Sequence, residues 1–248
     1  MAGSMAYLPI FMELAGRSCV VIGGGAVAER KVQALRAAGA IVTVVSPAVG
    51  AGLAALADAG AIIHLAREYR PGDLAGMALA FAATGDLATE RGVAAEAAAA
   101  GIPINVADVP ELCSFMAPAV MRRGGLQIAV ATGGASPALA GVIRAELEDR
   151  YGPEYELMID LMAAARGWLR VTLGDAGERG PRLIALARSG LRDALGHGDF
   201  DLADDAMRHA VGVGLAELGY DRVRCEAALR ELGVAIVGAA ASARGNGR

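Results

Sequence analysis

The sequence predicts an α/β fold, a parallel sheet with helices on both faces, followed by a helix-rich second part. Three observations predict it. Short apolar runs rich in Val and Ile alternate with helical stretches between residues 18 and 106. The connections between them are short, as in repeated βα units. A run of three glycines, Gly23-Gly24-Gly25, stands between the first apolar run and the first helical stretch.

Each element has a local reason. Residues 18–22 (SCVVI) form a continuous apolar run of the kind a strand buried on both faces requires. From Ala26 to Ala38 the apolar positions Val27, Val32 and Leu35 alternate with charged ones at helical spacing, and Gly39 supplies a stop. Residues 41–45 (IVTVV) form the second strand, ended by Ser46-Pro47. A helix at about 51–59 leads to a third apolar run, Ala61–Leu65, and the Pro71-Gly72 turn precedes a fourth, Leu79–Ala83. Residues 87–100 are an alanine-rich helix, and Ile102–Val106 is the fifth strand. The pattern changes after Pro110. Leu126–Ala131 reads as a further strand, preceded by Arg122-Arg123-Gly124-Gly125, and Thr132–Pro137 opens a helix that runs to about Asp149. From Glu154 onward the chain reads as helices, with breaks near Gly174–Pro181 and Gly196–Asp199 and a frayed tail at 242–248.

Composition narrows the function classes. The 248 residues are 55% hydrophobic and 20% charged, which excludes intrinsic disorder. Mean hydropathy is +0.44, yet no apolar run reaches the roughly 18–20 residues of a spanning helix. A membrane role is therefore not expected. The formal net charge of −4 argues against a nucleic-acid partner, which calls for a basic surface. Cys19, Cys113 and Cys225 are odd in number and widely spaced, so neither a disulfide framework nor a zinc site is expected. Met1–Met5 lacks the regions of a signal peptide, and the compartment is read as reducing cytoplasm. His64, His197 and His209 form no metal-ligand spacing, and no resident metal is expected.

The first strand–helix junction, Gly23-Gly24-Gly25-Ala26-Val27-Ala28, has the form GxGxxA. Gly23 permits a tight turn, Gly25 lets backbone approach a pyrophosphate, and Ala28 allows close helix–strand packing. The helix N-terminus adds unpaired N–H groups and a partial positive charge. Gly23, Gly24, Gly25, Ala26 and Val27 are the candidate cradle of a dinucleotide. The acidic residue that usually binds the ribose at the end of the second strand is absent; Ser46, Pro47 and Ala48 stand there, with no arginine to favour a 2′-phosphate. The choice between NAD and NADP is left open by this strand. Thr84, at the end of the fourth strand, is a further candidate contact.

Three ordered sets of residues carry a family resemblance. Leu8-Pro9-Ile10-Phe11, Gly23–Lys31 and Val44-Val45-Ser46-Pro47 form the first; Asn105–Pro110 with Ser114-Phe115 the second; Thr132–Pro137 the third. Together they resemble the precorrin-2 dehydrogenase family of siroheme biosynthesis, which includes the N-terminal module of siroheme synthases. The resemblance is clear from about Leu8 to Arg150. It implies a Rossmann domain over 1–114, a dimerisation region over 115–150 and a helical domain over 151–248. It implies NAD as cofactor, precorrin-2 as substrate, sirohydrochlorin as product, a homodimer, and in some members Fe2+ insertion. It places Asp108 on the family's catalytic aspartate, and the cofactor contacts on the glycine turn and on Pro47 and Ala48. A non-catalytic NAD-sensing module and a chelatase that binds NAD incidentally are the competing readings.

The substrate so implied carries eight carboxylates and needs cations, preferably the planar fork of arginine. Arg122, Arg123, Arg144, Arg166 and Arg170 are candidates by position, none of them a firm site residue. Lys31 is the only lysine in the chain. Cys113 and the Met158–Trp168 stretch read as packing groups.

Overall fold

The structure is a computed structural model and describes residues 7–234. The described residues divide into two compact units, one of residues 7–117 with 132–136, the other of 118–131 with 137–234. The start Met1–Met5 and the tail 242–248 lie outside the described residues.

The first unit is a five-stranded parallel sheet. Its strands are β1 (Ser18–Ile22), β2 (Ile41–Val45), β3 (Ile63–Leu65), β4 (Leu79–Ala82) and β5 (Ile104–Val106), in the order β3-β2-β1-β4-β5. Helices α1 (Ala26–Ala37), α2 (Ala51–Asp58) and α3 (Leu87–Ala100) make the crossovers. Alternation along β1 explains why both faces are covered. Cys19 and Val21 pack with Val32, Leu35 and Leu53 on the α1/α2 side. Val20 and Ile22 pack with Val93 and Ala97 on the α3 side. The chain leaves β1 toward β2 and β3 on one side, then returns to lay β4 and β5 on the other. That reversal makes the C-terminal ends of β1 and β4 the topological switch point of the sheet, the crevice position where ligands bind in open parallel sheets.

Two strands are shorter than the apolar runs suggest. The third starts at Ile63, because the Ala61 N–H closes the end of α2 on Leu56 O. The fifth starts at Ile104, after Pro103, which has no N–H for a ladder.

The second unit holds a hairpin, β6 (Ala119–Arg123) and β7 (Leu126–Val130), and helices α4 (Pro137–Arg150), α5 (Glu154–Thr172), α6 (Ala176–Ala187), α7 (Leu191–His197), α8 (Phe200–Val211) and α9 (Arg222–Glu231). Its core joins Leu157, Leu161 and Leu169 of α5 to Leu186, Leu195, Met207 and Leu229. Two features differ from the sequence reading. Arg122 and Arg123 are strand residues of β6, with Gly124-Gly125 as the hairpin turn, so the expected single strand is half of a pair. Pro181 lies inside α6 and not in a break. Asp175 starts that helix by accepting from the Gly177 N–H, and Leu186 buries its apolar side. The break at Gly196–Asp199 is present: Gly198 closes α7 in the left-handed region and the Asp199 side chain caps α8.

Candidate active site at the C-terminal edge of the sheet

The glycine turn follows β1 at the crevice. Gly23 has φ +123°, and a Cβ there would run into the Ala83 carbonyl, whose carbon would be 2.7 Å away. Gly24 is equally confined: a Cβ would strike Ala48 O and lie 2.7 Å from Ser46 Oγ. Gly25 is different. Its φ of −84° suits any residue, and a Cβ would meet nothing within 4 Å. Protein packing explains the first two glycines, whereas the third guards open space. Gly25 is also the N-cap of α1, and no side chain caps that helix. The first-turn N–H groups of α1 are left for an external acceptor. An open cradle under an uncapped helix N-terminus fits a dinucleotide pyrophosphate.

The loop after β2 closes over the turn. The Gly50 N–H donates to Gly24 O at 2.9 Å, and the Ser46 hydroxyl donates to Ala48 O at 2.6 Å. Ser46 is buried, with its hydroxyl committed inside the loop; Pro47 and Ala48 are exposed above it. His64 of β3 donates from Nε2 to Ser46 O at 2.9 Å and so pins the end of β2. Arg67, a little further on, is held by Asp73 in a two-bond pair at 2.6 and 2.8 Å.

At the end of β4, Thr84 is exposed but tied to a residue the sequence reading overlooked. Glu90 of α3 is only 3% exposed, and its Oε1 accepts from Thr84 N, Thr84 Oγ1 and Gly85 N at 3.1, 3.2 and 3.1 Å. In an alanine-rich helix it looks like an ordinary polar position; only the tertiary contact reveals its work. The Asp86 side chain caps α3 beside it by accepting from Thr89 N at 2.9 Å. Glu90→Ala leaves the Thr84 and Gly85 N–H groups without their acceptor, and should cost about 1–3 kcal/mol of stability. Chemical denaturation measures this, and an unchanged midpoint would contradict the assignment.

Asp108 stands past the end of β5, on the same edge as the glycine turn, with one strand, β4, between β5 and β1. The strand spacing puts the two strand ends roughly 10 Å apart. Asp108 is exposed, with φ 60°, the one non-glycine residue of positive φ among the described residues. Its turn is firmly tied. The Ala107 N–H donates to Ala82 O at 2.8 Å. The Cys113 thiol accepts from Val106 N at 3.1 Å and lies 3.3 and 3.4 Å from the carbonyls of Val106 and Val109. The Ser114 hydroxyl accepts from Ile104 N at 2.8 Å. Cys113 is therefore a brace across the turn that presents Asp108. A carboxylate held out in the left-handed region, on a braced turn beside a ligand crevice, is the pattern of a functional side chain.

Of the arginines considered for carboxylate binding, Arg123 donates to the carbonyls of Tyr151 and Glu148 at 3.0 Å each, closing the end of α4, and Arg144 pairs with Glu148. Arg122, Arg166 and Arg170 are exposed.

Fold and edge together define a Rossmann-type parallel sheet, with a glycine turn at the C-terminal end of its first strand, and a helical second unit. Comparison with known proteins makes this particular. Residues 10–119 match the family described as NAD(P)-binding, and residues 123–150 the family described as sirohaem biosynthesis protein, central. The chain is 48% identical over 144 residues to the siroheme synthase of Methylobacillus flagellatus, covering 58% of this chain and 31% of that protein. It is 38% identical over 213 residues to the siroheme synthase of Chromobacterium violaceum, covering 86% and 45%. The chain thus spans less than half the length of these curated relatives. The solved structure of SirC, a precorrin-2 dehydrogenase, shares its fold with a TM-score of 0.64 at 22% identity, over 92% of this chain and 99% of that one. The resemblance drawn from the three motif sets is borne out, as is the Rossmann-type fold with its helical C-terminal part.

Proposed function

We propose that the protein oxidises precorrin-2 to sirohydrochlorin with NAD+, and that Asp108 takes the proton. The carrying observation is the placement of an open glycine cradle and a strained, exposed carboxylate on one edge of one sheet. The oxidation removes two electrons and two hydrogens from the macrocycle. NAD+ bound at the crevice accepts one hydrogen as hydride. The other leaves as a proton, which the Asp108 carboxylate is positioned to accept. Gly25 and the first turn of α1 hold the pyrophosphate, and Pro47 and Ala48 border the adenosine side. The ends of β2 and β3 favour NAD+ over NADP+: His64 is engaged by Ser46 and Arg67 by Asp73, so neither side chain is left free for a 2′-phosphate.

The same carboxylate could receive pyrrole N–H protons if Fe2+ is inserted afterwards, the ion then being a substrate. The hairpin β6–β7 with α4 is the proposed dimerisation region; Leu139 and Val142 of α4 are exposed apolar residues that a second copy would cover. The three free thiols suit a reducing cytoplasm, and among the described residues no helix is long and apolar enough to cross a membrane. Anaerobic incubation with precorrin-2 and NAD+ tests the reaction. The expected result is the sirohydrochlorin absorbance spectrum; a folded protein that leaves the precorrin-2 spectrum unchanged would overturn it.

A further inference from the structure

We propose that Lys31 is an anchor for a carboxylate of the tetrapyrrole, its ammonium held over the Phe81 ring next to the Asp108 turn. The inference rests on the proposed reaction and adds a specificity-determining residue to it. Lys31 lies in the second turn of α1, half-buried, with Nζ 5.0 Å from the centre of the Phe81 ring. Phe81 pairs in register with Asn105 of β5 and meets Phe115 edge-on at 5.5 Å. The Asn105 side-chain amide donates to Phe115 O at 3.2 Å. The floor beneath Lys31 is thus a β4 side chain, flanked by β5, the strand that leads to Asp108, and by Phe115 of the segment that follows.

Direction and charge agree with this placement. Side chains on a helix lean toward its N-terminus, and the N-terminus of α1 is at the C-terminal edge of the sheet. Lys31 therefore leans toward the crevice, while its Cα lies roughly 8 Å along the helix from Ala26, past the pyrophosphate cradle. Burial pushes the Lys31 ammonium below the ordinary lysine range, with Arg30 acting the same way, while the Asp108 carboxylate acts in the opposite direction. Among the described residues no ion pair involves Lys31. An aromatic face holds a cation without neutralising it. A partly desolvated ammonium of this kind gains most from an incoming carboxylate. In a chain whose other basic side chains outside histidine are all arginine, this position alone keeps the compact ammonium.

The test is titration of the full-length chain with sirohydrochlorin in the absence of NAD+, together with steady-state kinetics on precorrin-2. Lys31→Met should weaken sirohydrochlorin binding and raise KM by about tenfold or more, with NAD+ affinity unchanged. Its binding should also depend less steeply on salt. Lys31→Arg should recover part of the affinity, which shows that charge and not shape is at stake. If the wild type turns over precorrin-2 and Lys31→Met binds sirohydrochlorin within twofold of it, the anchor is overturned while the proposed reaction stands. If Lys31→Met loses NAD+ binding and thermal stability together, and Lys31→Arg does the same, Lys31 is structural and the anchor is again overturned. If the wild type neither binds sirohydrochlorin nor oxidises precorrin-2, the proposed reaction fails and takes the anchor with it.

Discussion

Asp108→Asn is expected to lower the turnover of precorrin-2 by about 10²–10⁴-fold with the fold intact, the range a positioned general base contributes. Asparagine is among the few residues that enter the left-handed region readily, so this substitution removes the charge and little else. Asp108→Gly sharpens the test. A non-glycine residue in that region carries a steric cost, and glycine relieves it. The glycine variant should therefore gain up to about 1 kcal/mol of stability while losing activity to the same extent. Activity and stability moving in opposite directions is the behaviour of a residue kept under strain for its chemistry. Steady-state turnover and thermal melts of the two variants measure both quantities. Either variant retaining more than a tenth of wild-type kcat would remove Asp108 from the proton transfer.

The glycines should separate just as sharply. At Gly23, φ +123° and the Ala83 carbonyl leave no place for a side chain, so Gly23→Ala combines backbone strain with a backbone clash. The expected cost is roughly 3–5 kcal/mol, enough to unfold much of the population. At Gly25 the backbone is ordinary and the space is open, so Gly25→Ala should change stability by no more than about 1 kcal/mol. Its methyl would stand where the pyrophosphate approaches, and NAD+ affinity should fall by about tenfold or more. Calorimetric titration of NAD+ and a denaturant melt on each variant decide the point. Gly25→Ala binding NAD+ like the wild type would place the pyrophosphate elsewhere.

The first unit was legible in the sequence because its signals are local. The 18–22 and 41–45 runs, the glycine turn and the helix over 87–100 depend on residues adjacent in the chain, and the structure shows them where the pattern put them. What failed depended on distant partners. β6 carries Arg122 and Arg123, and charge hid a strand whose pairing with β7 is set by the Gly124-Gly125 turn. Pro181 reads as a breaker, yet α6 absorbs it because its start and its apolar side are fixed by Asp175 and Leu186. The site divides in the same way. The cradle is a local motif, but Glu90 acquires its meaning only by reaching Thr84 six residues back, and Cys113 by folding its thiol against Val106. Lys31 was conspicuous as a lone lysine, and only the packing of α1 on β4 says where its charge goes.

The most direct test is a crystal structure of the Asp108→Asn variant with NAD+ and precorrin-2 bound. The account predicts the pyrophosphate at Gly25 and the macrocycle over the ends of β4 and β5. The residue 108 side chain should then come within about 2.6–3.2 Å, or one water, of the hydrogen-bearing position that loses its proton. A macrocycle bound away from that edge, with residue 108 out of reach in every subunit, would contradict it.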